Sequence, residues 1–187
     1  MVVKSVAEGL DRVLDKAVTR KPPQSAGAQV RYLVRQLKST KAVADLLGIS
    51  RRTVQRYVKG DIKNPRDPRL AGRLGEEVRK RWQPKVKERA RTAAATTNGL
   101  MIDVRAGLGY EADAGSTDEA RQRHLTLALP PHHAARIFDA RQHGGEPQMR
   151  QAVADALKEV YFQQHGTRAA TLDEVRMLDV QHIEFDL

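Results

Sequence analysis

The sequence predicts a mainly α N-terminal helix-turn-helix domain followed by a small α+β C-terminal domain, and three observations carry that prediction. Residues 40–59 set small, glycine and apolar side chains at the spacing of two helices joined by a tight turn. The charge changes sign along the chain: residues 1–92 hold 24 Lys and Arg against 9 Asp and Glu, residues 93–187 hold 9 against 14, and the whole carries +10. The apolar pattern changes in the same place, from helical spacing to the alternation of strands. A boundary near residue 92 is therefore expected, separating a basic domain 1–92 from an acidic domain 93–187.

Val3, Val6, Leu10, Val13, Leu14 and Ala17 recur at helical spacing, so an amphipathic helix is expected over residues 3–19, ended by Lys21-Pro-Pro. A second helix is expected over residues 26–37, with Val30, Leu33, Val34 and Leu37 on one side. Both are expected to complete the core that the helix-turn-helix lacks by itself. In Thr40-Lys-Ala-Val-Ala-Asp-Leu-Leu-Gly-Ile-Ser-Arg-Arg-Thr-Val-Gln-Arg-Tyr57, Ala44 is small where the helices cross and Gly48 sits where the turn needs positive φ. Val43, Leu47, Ile49, Val54 and Tyr57 fall at buried positions, and Ser50 caps the second helix. After the turn-rich Lys63-Asn-Pro-Arg-Asp-Pro-Arg69, Asp67 is an N-cap and Pro68 a first helical residue for a helix through Leu70, Leu74 and Val78, which Pro84 ends or bends.

Residues 79–91 are dense in Lys and Arg around the lone Trp82. They read either as a solvated face with Trp82 in the core or as a second contact to a nucleic-acid backbone. The alanine-rich Ala93-Ala-Ala-Thr-Thr-Asn-Gly99 is expected to be a linker, open to proteolysis between Arg89 and Asn98. Beyond it, Leu100-Met-Ile-Asp-Val-Arg105 reads as a strand, Gly107-Leu-Gly109 as a turn and Arg123-His-Leu-Thr-Leu-Ala-Leu129 as a second strand. Pro130-Pro131 opens a helix to about Gln142, Pro147 another to about His165, and Thr171-Leu-Asp-Glu174 caps a short helix before a last strand over residues 180–187.

Several function classes fall away. There are no cysteines, no apolar signal core and no run that approaches a membrane span, so a cytoplasmic, nucleoid-associated protein without a membrane partner is expected. Gly107-Leu-Gly109 lacks the rest of a dinucleotide fingerprint, and no phosphate-binding Gly-Lys-Ser/Thr loop is present. His132 and His133 are neighbours on an expected helix, pointing about 100° apart with no cysteine to join them, and read as surface histidines with no metal site. Asp113, Asp118 and Glu119 lack a two-metal nuclease spacing. No enzyme activity and no cofactor of its own is expected.

The remaining signals point to DNA. The exposed face of the second motif helix would carry Arg51, Arg52, Thr53, Gln55, Arg56 and Lys59, with Lys63 and Arg66 in the loop beyond, donors suited to phosphates and guanine edges. In the acidic half, Tyr110-Glu-Ala-Asp-Ala-Gly-Ser-Thr-Asp-Glu-Ala120 sets two adjacent hydroxyls among carboxylates. A hydroxyl there is a candidate nucleophile if an outside base and metal activate it. The same residues also read as a capping box, with Ser116 at the N-cap and Glu119 reaching back.

The helix-turn-helix Val43-Ala-Asp-Leu-Leu-Gly-Ile-Ser-Arg-Arg-Thr-Val-Gln-Arg-Tyr57, the basic Trp82 segment, Gly115-Ser-Thr-Asp-Glu-Ala-Arg121 and Leu125-Thr-Leu-Ala-Leu-Pro-Pro131 together resemble the Tpg-type telomere terminal proteins of linear Streptomyces-type replicons. The resemblance implies a protein that binds telomeric DNA, as a single-stranded overhang or duplex end, through its N-terminal half. It further implies that a threonine hydroxyl in the C-terminal half becomes joined to the 5′ end after priming end-patching synthesis. Thr117 matches that threonine, with Ser116 as its rival. A DNA polymerase, its Mg²⁺ and a telomere-associated protein are the implied partners. The other function class is a transcriptional regulator whose acidic half is a dimerisation or effector domain, expected to act as a homodimer on a palindromic site.

Overall fold

The computed structural model describes residues 5–112, 118–163 and 172–187. It comprises helical elements α1 (Val6–Lys16), α2 (Ala26–Leu37), α3 (Thr40–Leu47), α4 (Arg51–Lys59), α5 (Pro68–Arg81), α6 (Pro84–Ala93), α7 (Pro131–His143) and α8 (Glu146–Leu157). The strands are β1 (Leu100–Ala112), β2 (Asp118–Leu129) and β3 (Leu172–Asp186), and π-helical turns succeed α6 at Ala94–Asn98 and α8 at Lys158–Phe162. The fold class is the expected one, a helical N-terminal part carrying the helix-turn-helix and a small α+β C-terminal part.

The chain divides into two compact units, Val18–Val86 and the combination of Met1–Ala17 with Lys87–Leu187. This corrects the division at residue 92. The first helix does not complete the helix-turn-helix core: Val6, Leu10 and Val13 are buried with the sheet residues Ile102, Val104, Ile183 and Phe185. Gly9 permits the approach, since a Cβ there would stand 3.0 Å from the Phe185 ring. The start of α1 is tied down as well. Glu146, at the head of α8, accepts from Val6 N at 2.8 Å, Ala7 N at 3.2 Å and the Ser5 hydroxyl at 2.9 Å, so a carboxylate sits on the positive end of the helix. Burial pushes the Glu146 carboxyl up, but these bonds and Arg150 outweigh it and hold the group below the usual carboxylate range.

The expected linker is helical. Residues 84–98 run without a break through α6 and the π turn, and Ala94 is fully buried in the sheet unit's core. Ala94, in the run that suggested a flexible tether, is small where the helix packs. Proline breaks α5 from α6 as expected, with Gln83 at φ +47° between them and Pro84 opening the new helix.

The sheet has the order β2-β1-β3, antiparallel throughout. Its core face buries Ile102, Val104, Ala106 and Leu108 of the central strand in one cluster with residues of α1, α7 and α8, and α1 and α8 pack on β3. Gly107-Leu-Gly109 is no turn: β1 continues through it, with register shifts between Arg105 and Gly107 toward β3 and between Leu108 and Tyr110 toward β2. A Cβ on Gly107 would lie 3.2 Å from Leu178 O, so the glycine marks a bulge and a close backbone approach. The short helix expected after Thr171 is also replaced, because Leu172 already begins β3.

On the opposite sheet face, Asp103 lies within 3.1 Å of His124 Nε2, accepts from Thr126 Oγ1 at 2.7 Å and lies 3.3 Å from His182 Nε2. The Thr126 bond, then the two histidines, hold its carboxyl low against partial burial. The surface reading of the paired histidines holds for His132 but is overturned for His133. His133 is fully buried at the start of α7, and neither ring nitrogen has a hydrogen-bond partner. Pro130 and Pro131 turn the chain into α7 so that the second histidine faces inward, which sequence spacing alone does not reveal. Burial, then the charge of His132, lowers the His133 imidazole below its ordinary value against the pull of Glu159.

Candidate nucleic-acid interface

The helical unit Val18–Val86 concentrates the positive charge. It holds 18 Lys and Arg against 5 Asp and Glu, or +13, and leaves −3 for the rest of the chain. Its core joins Val30, Leu33, Val43, Leu47, Val54, Tyr57, Leu74 and Val78. Trp82 packs on this core, edge to face with Tyr32 at 5.0 Å, and its indole N–H donates to Arg20 O at 2.7 Å. Tyr32 in turn donates to Arg81 O at 2.5 Å. Trp82 is thus a structural residue of the helical unit.

The motif is built as its residues dictate. Ser39 and Ser50 cap α3 and α4, accepting from Ala42 N at 3.2 Å and Thr53 N at 3.1 Å. Gly48 adopts φ +65°, and its N–H and that of Ile49 return to Asp45 O and Ala44 O, closing α3 with a left-handed turn. Ala44 is almost fully buried at the crossing, as its size requires. Gly60 closes α4 in the same way, at φ +93°.

Val54 and Tyr57 anchor α4, while Arg52, Gln55, Arg56 and Lys59, spaced i, i+3, i+4 and i+7, form an exposed stripe on its opposite side. No other described residue hydrogen-bonds or ion-pairs with these four side chains, so their donors are available to a ligand. Arg51 is exposed and oriented, its Nε donating to Thr40 Oγ1 at 3.1 Å. Thr53 is half-buried and shares a hydroxyl contact of 2.8 Å with Ser50. Lys63 and Arg66 are exposed in the loop before α5.

Two residues that local spacing did not single out hold this face in place. Thr40 orients Arg51 from the first turn of α3. Arg73 on α5 donates to Leu46 O at 3.0 Å and lies over Gly48, setting a cation on the C-terminal end of α3. Arg73 is distant in sequence from both partners, so no local pattern could have found it.

The proposed hydroxyls Ser116 and Thr117 lie outside the described residues, in the stretch that links β1 to β2. Immediately after them, β2 starts at Asp118, which pairs with Tyr110. Residues 118–119 therefore begin a strand, and the capping-box reading with Ser116 as a helix N-cap is overturned. Among the described residues no helix is long and apolar enough to cross a membrane.

A family model described as a homeodomain-like domain matches residues 28–60, from within α2 to the cap of α4. No curated protein and no solved structure matches the chain at a significant level. Residues 28–60 form a homeodomain-like helix-turn-helix, a kind of domain that binds DNA, with α4 as its second helix.

Proposed function

We propose that the protein is a terminal protein that binds the DNA ends of a linear replicon and primes their end-patching synthesis. The observation that carries its DNA-binding part is the free, basic stripe of α4 on a matched helix-turn-helix. Priming is supported by the resemblance of Gly115–Arg121 and Leu125–Pro131 to the terminal-protein pattern and by the concentration of positive charge in a unit separate from the sheet. In the proposed reaction, Thr117 Oγ attacks the α-phosphorus of the first deoxynucleoside triphosphate, a phosphodiester forms and pyrophosphate leaves. The Thr117 proton passes to a base of the partner polymerase. That polymerase supplies Mg²⁺ and the catalytic carboxylates, because a lone threonine hydroxyl is a weak nucleophile. A telomere-associated protein would present the single-stranded or duplex end.

The experiment is incubation with labelled deoxynucleotides, a DNA polymerase, Mg²⁺ and terminal DNA, with denaturing electrophoresis of the products. Label should remain with the protein band. Thr117→Ala should abolish that label while leaving DNA affinity intact, and Thr117→Ser should retain part of it. Labelled Thr117→Ala protein would move the assignment to Ser116 or another hydroxyl, to be located by mass mapping. The helix-turn-helix domain equally suits a transcriptional regulator. A wild-type protein that is never labelled yet binds a palindromic duplex as a dimer would select that reading.

A further inference from the structure

The start of α7 and the π turn after α8 bring together a group of side chains that DNA binding does not use. His132 and His133 are the second and third residues of α7, and their rings lie 4.1 Å apart. Glu159, on the π turn Lys158–Phe162, faces both: its two oxygens lie 3.4 Å from His132 Nε2 and 3.2 Å from His133 Nε2. All three residues offer a ligand atom within 4.8 Å of the other two. His133 is fully buried, its side chain aimed at Glu159 with no hydrogen bond on either nitrogen.

A fully buried imidazole with neither nitrogen hydrogen-bonded, 3.2 Å from a carboxylate oxygen, is unfavourable for a fold. A cation held between Nε2 and the carboxylate gives that nitrogen a partner. In a tetrahedral zinc site with bonds of about 2.0–2.1 Å, neighbouring ligand atoms stand roughly 3.3–3.4 Å apart, close to both separations here. The π turn contributes as well, because the extra residue in its helical turn changes the direction of the side chains after Leu157.

We propose that His132, His133 and Glu159 form a mononuclear zinc site joining the start of α7 to the end of α8. Two imidazoles and one carboxylate suit zinc among the available divalent ions, and three protein ligands leave a fourth position for water. His133 ligates through Nε2 and keeps its proton on Nδ1. His132 and Glu159 are partly exposed and give the ion a route from solvent. The site is independent of the priming reading, since neither α4 nor Thr117 takes part in it.

The test is calorimetric titration of Zn²⁺ into untagged, chelator-treated full-length protein, with Co²⁺ added to a parallel sample as a spectroscopic probe. One equivalent should bind, Co²⁺ should give the visible absorption of a tetrahedral N/O site, and Zn²⁺ should raise the melting temperature. His132→Asn and Glu159→Gln alter partly exposed side chains and should each weaken Zn²⁺ binding by roughly tenfold or more while the circular dichroism is unchanged. His182→Asn, in the separate cluster around Asp103, should leave stoichiometry and affinity as they were. No zinc uptake at micromolar concentration, or uptake unaffected by both His132→Asn and Glu159→Gln, would overturn the site.

Discussion

At the residue scale α4 sorts its side chains by what they touch. Arg52 and Arg56 are exposed and have no described intramolecular partner, so replacing either leaves the core intact. Arg52→Ala and Arg56→Ala should each weaken DNA binding by about 1–3 kcal/mol where the contact is to a base edge, with an unchanged melting temperature. Fluorescence anisotropy measures the first effect and thermal denaturation the second; full affinity in both variants would remove α4 from the interface. Glu146 allows a test with a defined sign. Its carboxyl is held below its unfolded value by bonds to α1, so it stabilises the fold above that unfolded value and loses the contribution as pH falls through the folded one. Glu146→Gln should cost about 0.5–2 kcal/mol at pH 7, and the difference from wild type should close as the pH drops below about 4. Urea denaturation across that range reads it; a gap that stays constant with pH would separate Glu146 from the stability of α1. Residue identity alone made Gly48, Ser50 and Ala44 legible, because few side chains satisfy those positions. The burial of His133 was not legible, since it depends on how α8 and its π turn pack against α7.

At the element scale, periodicity reported which face of a helix is apolar and was silent about its partner. The bounds of the second helix agree with the expectation, and α1 lies inside the expected span, yet α1 packs on β3 rather than on the helix-turn-helix. Local caps misled in the same way. Ser116–Glu119 and Thr171–Glu174 both have capping-box sequences, but long-range pairing with β1 draws Asp118 and Leu172 into strands. Glycines within β1 suggested a turn because a bulge and a turn use the same residue for the same steric reason. The destination of α1 is testable through Gly9. Gly9→Val should push α1 from Phe185 and lower stability by about 1–3 kcal/mol, read from thermal unfolding. DNA affinity should not change; a parallel loss of affinity would place α1 with the DNA-binding unit instead.

At the scale of the whole molecule, the charge split was legible in composition, and redrawing the boundary sharpens it to +13 against −3. The boundary itself was not legible, because one unit is assembled from two separated stretches. A fragment of residues 18–86 should therefore bind DNA with the salt-sensitive affinity of the full chain, measured by anisotropy at several ionic strengths. A fragment of residues 1–92 should bind as well but self-associate, since it exposes Val6, Leu10 and Val13, and light scattering will reveal this. Failure of the 18–86 fragment to fold would return α1 or the later helices to that unit. The hydrogen bond of 2.9 Å from Thr19 N to Gln83 has a thermodynamic consequence of its own. It holds the two exits of the helical unit side by side, so α1 reaches its place on the sheet across a short effective loop. Were the helical unit unfolded, the same closure would span a long coil, at an additional entropic cost of about 2 kcal/mol. Folding of the helical unit therefore favours folding of the sheet unit through chain connectivity, without any contact between α1 and α4 being needed.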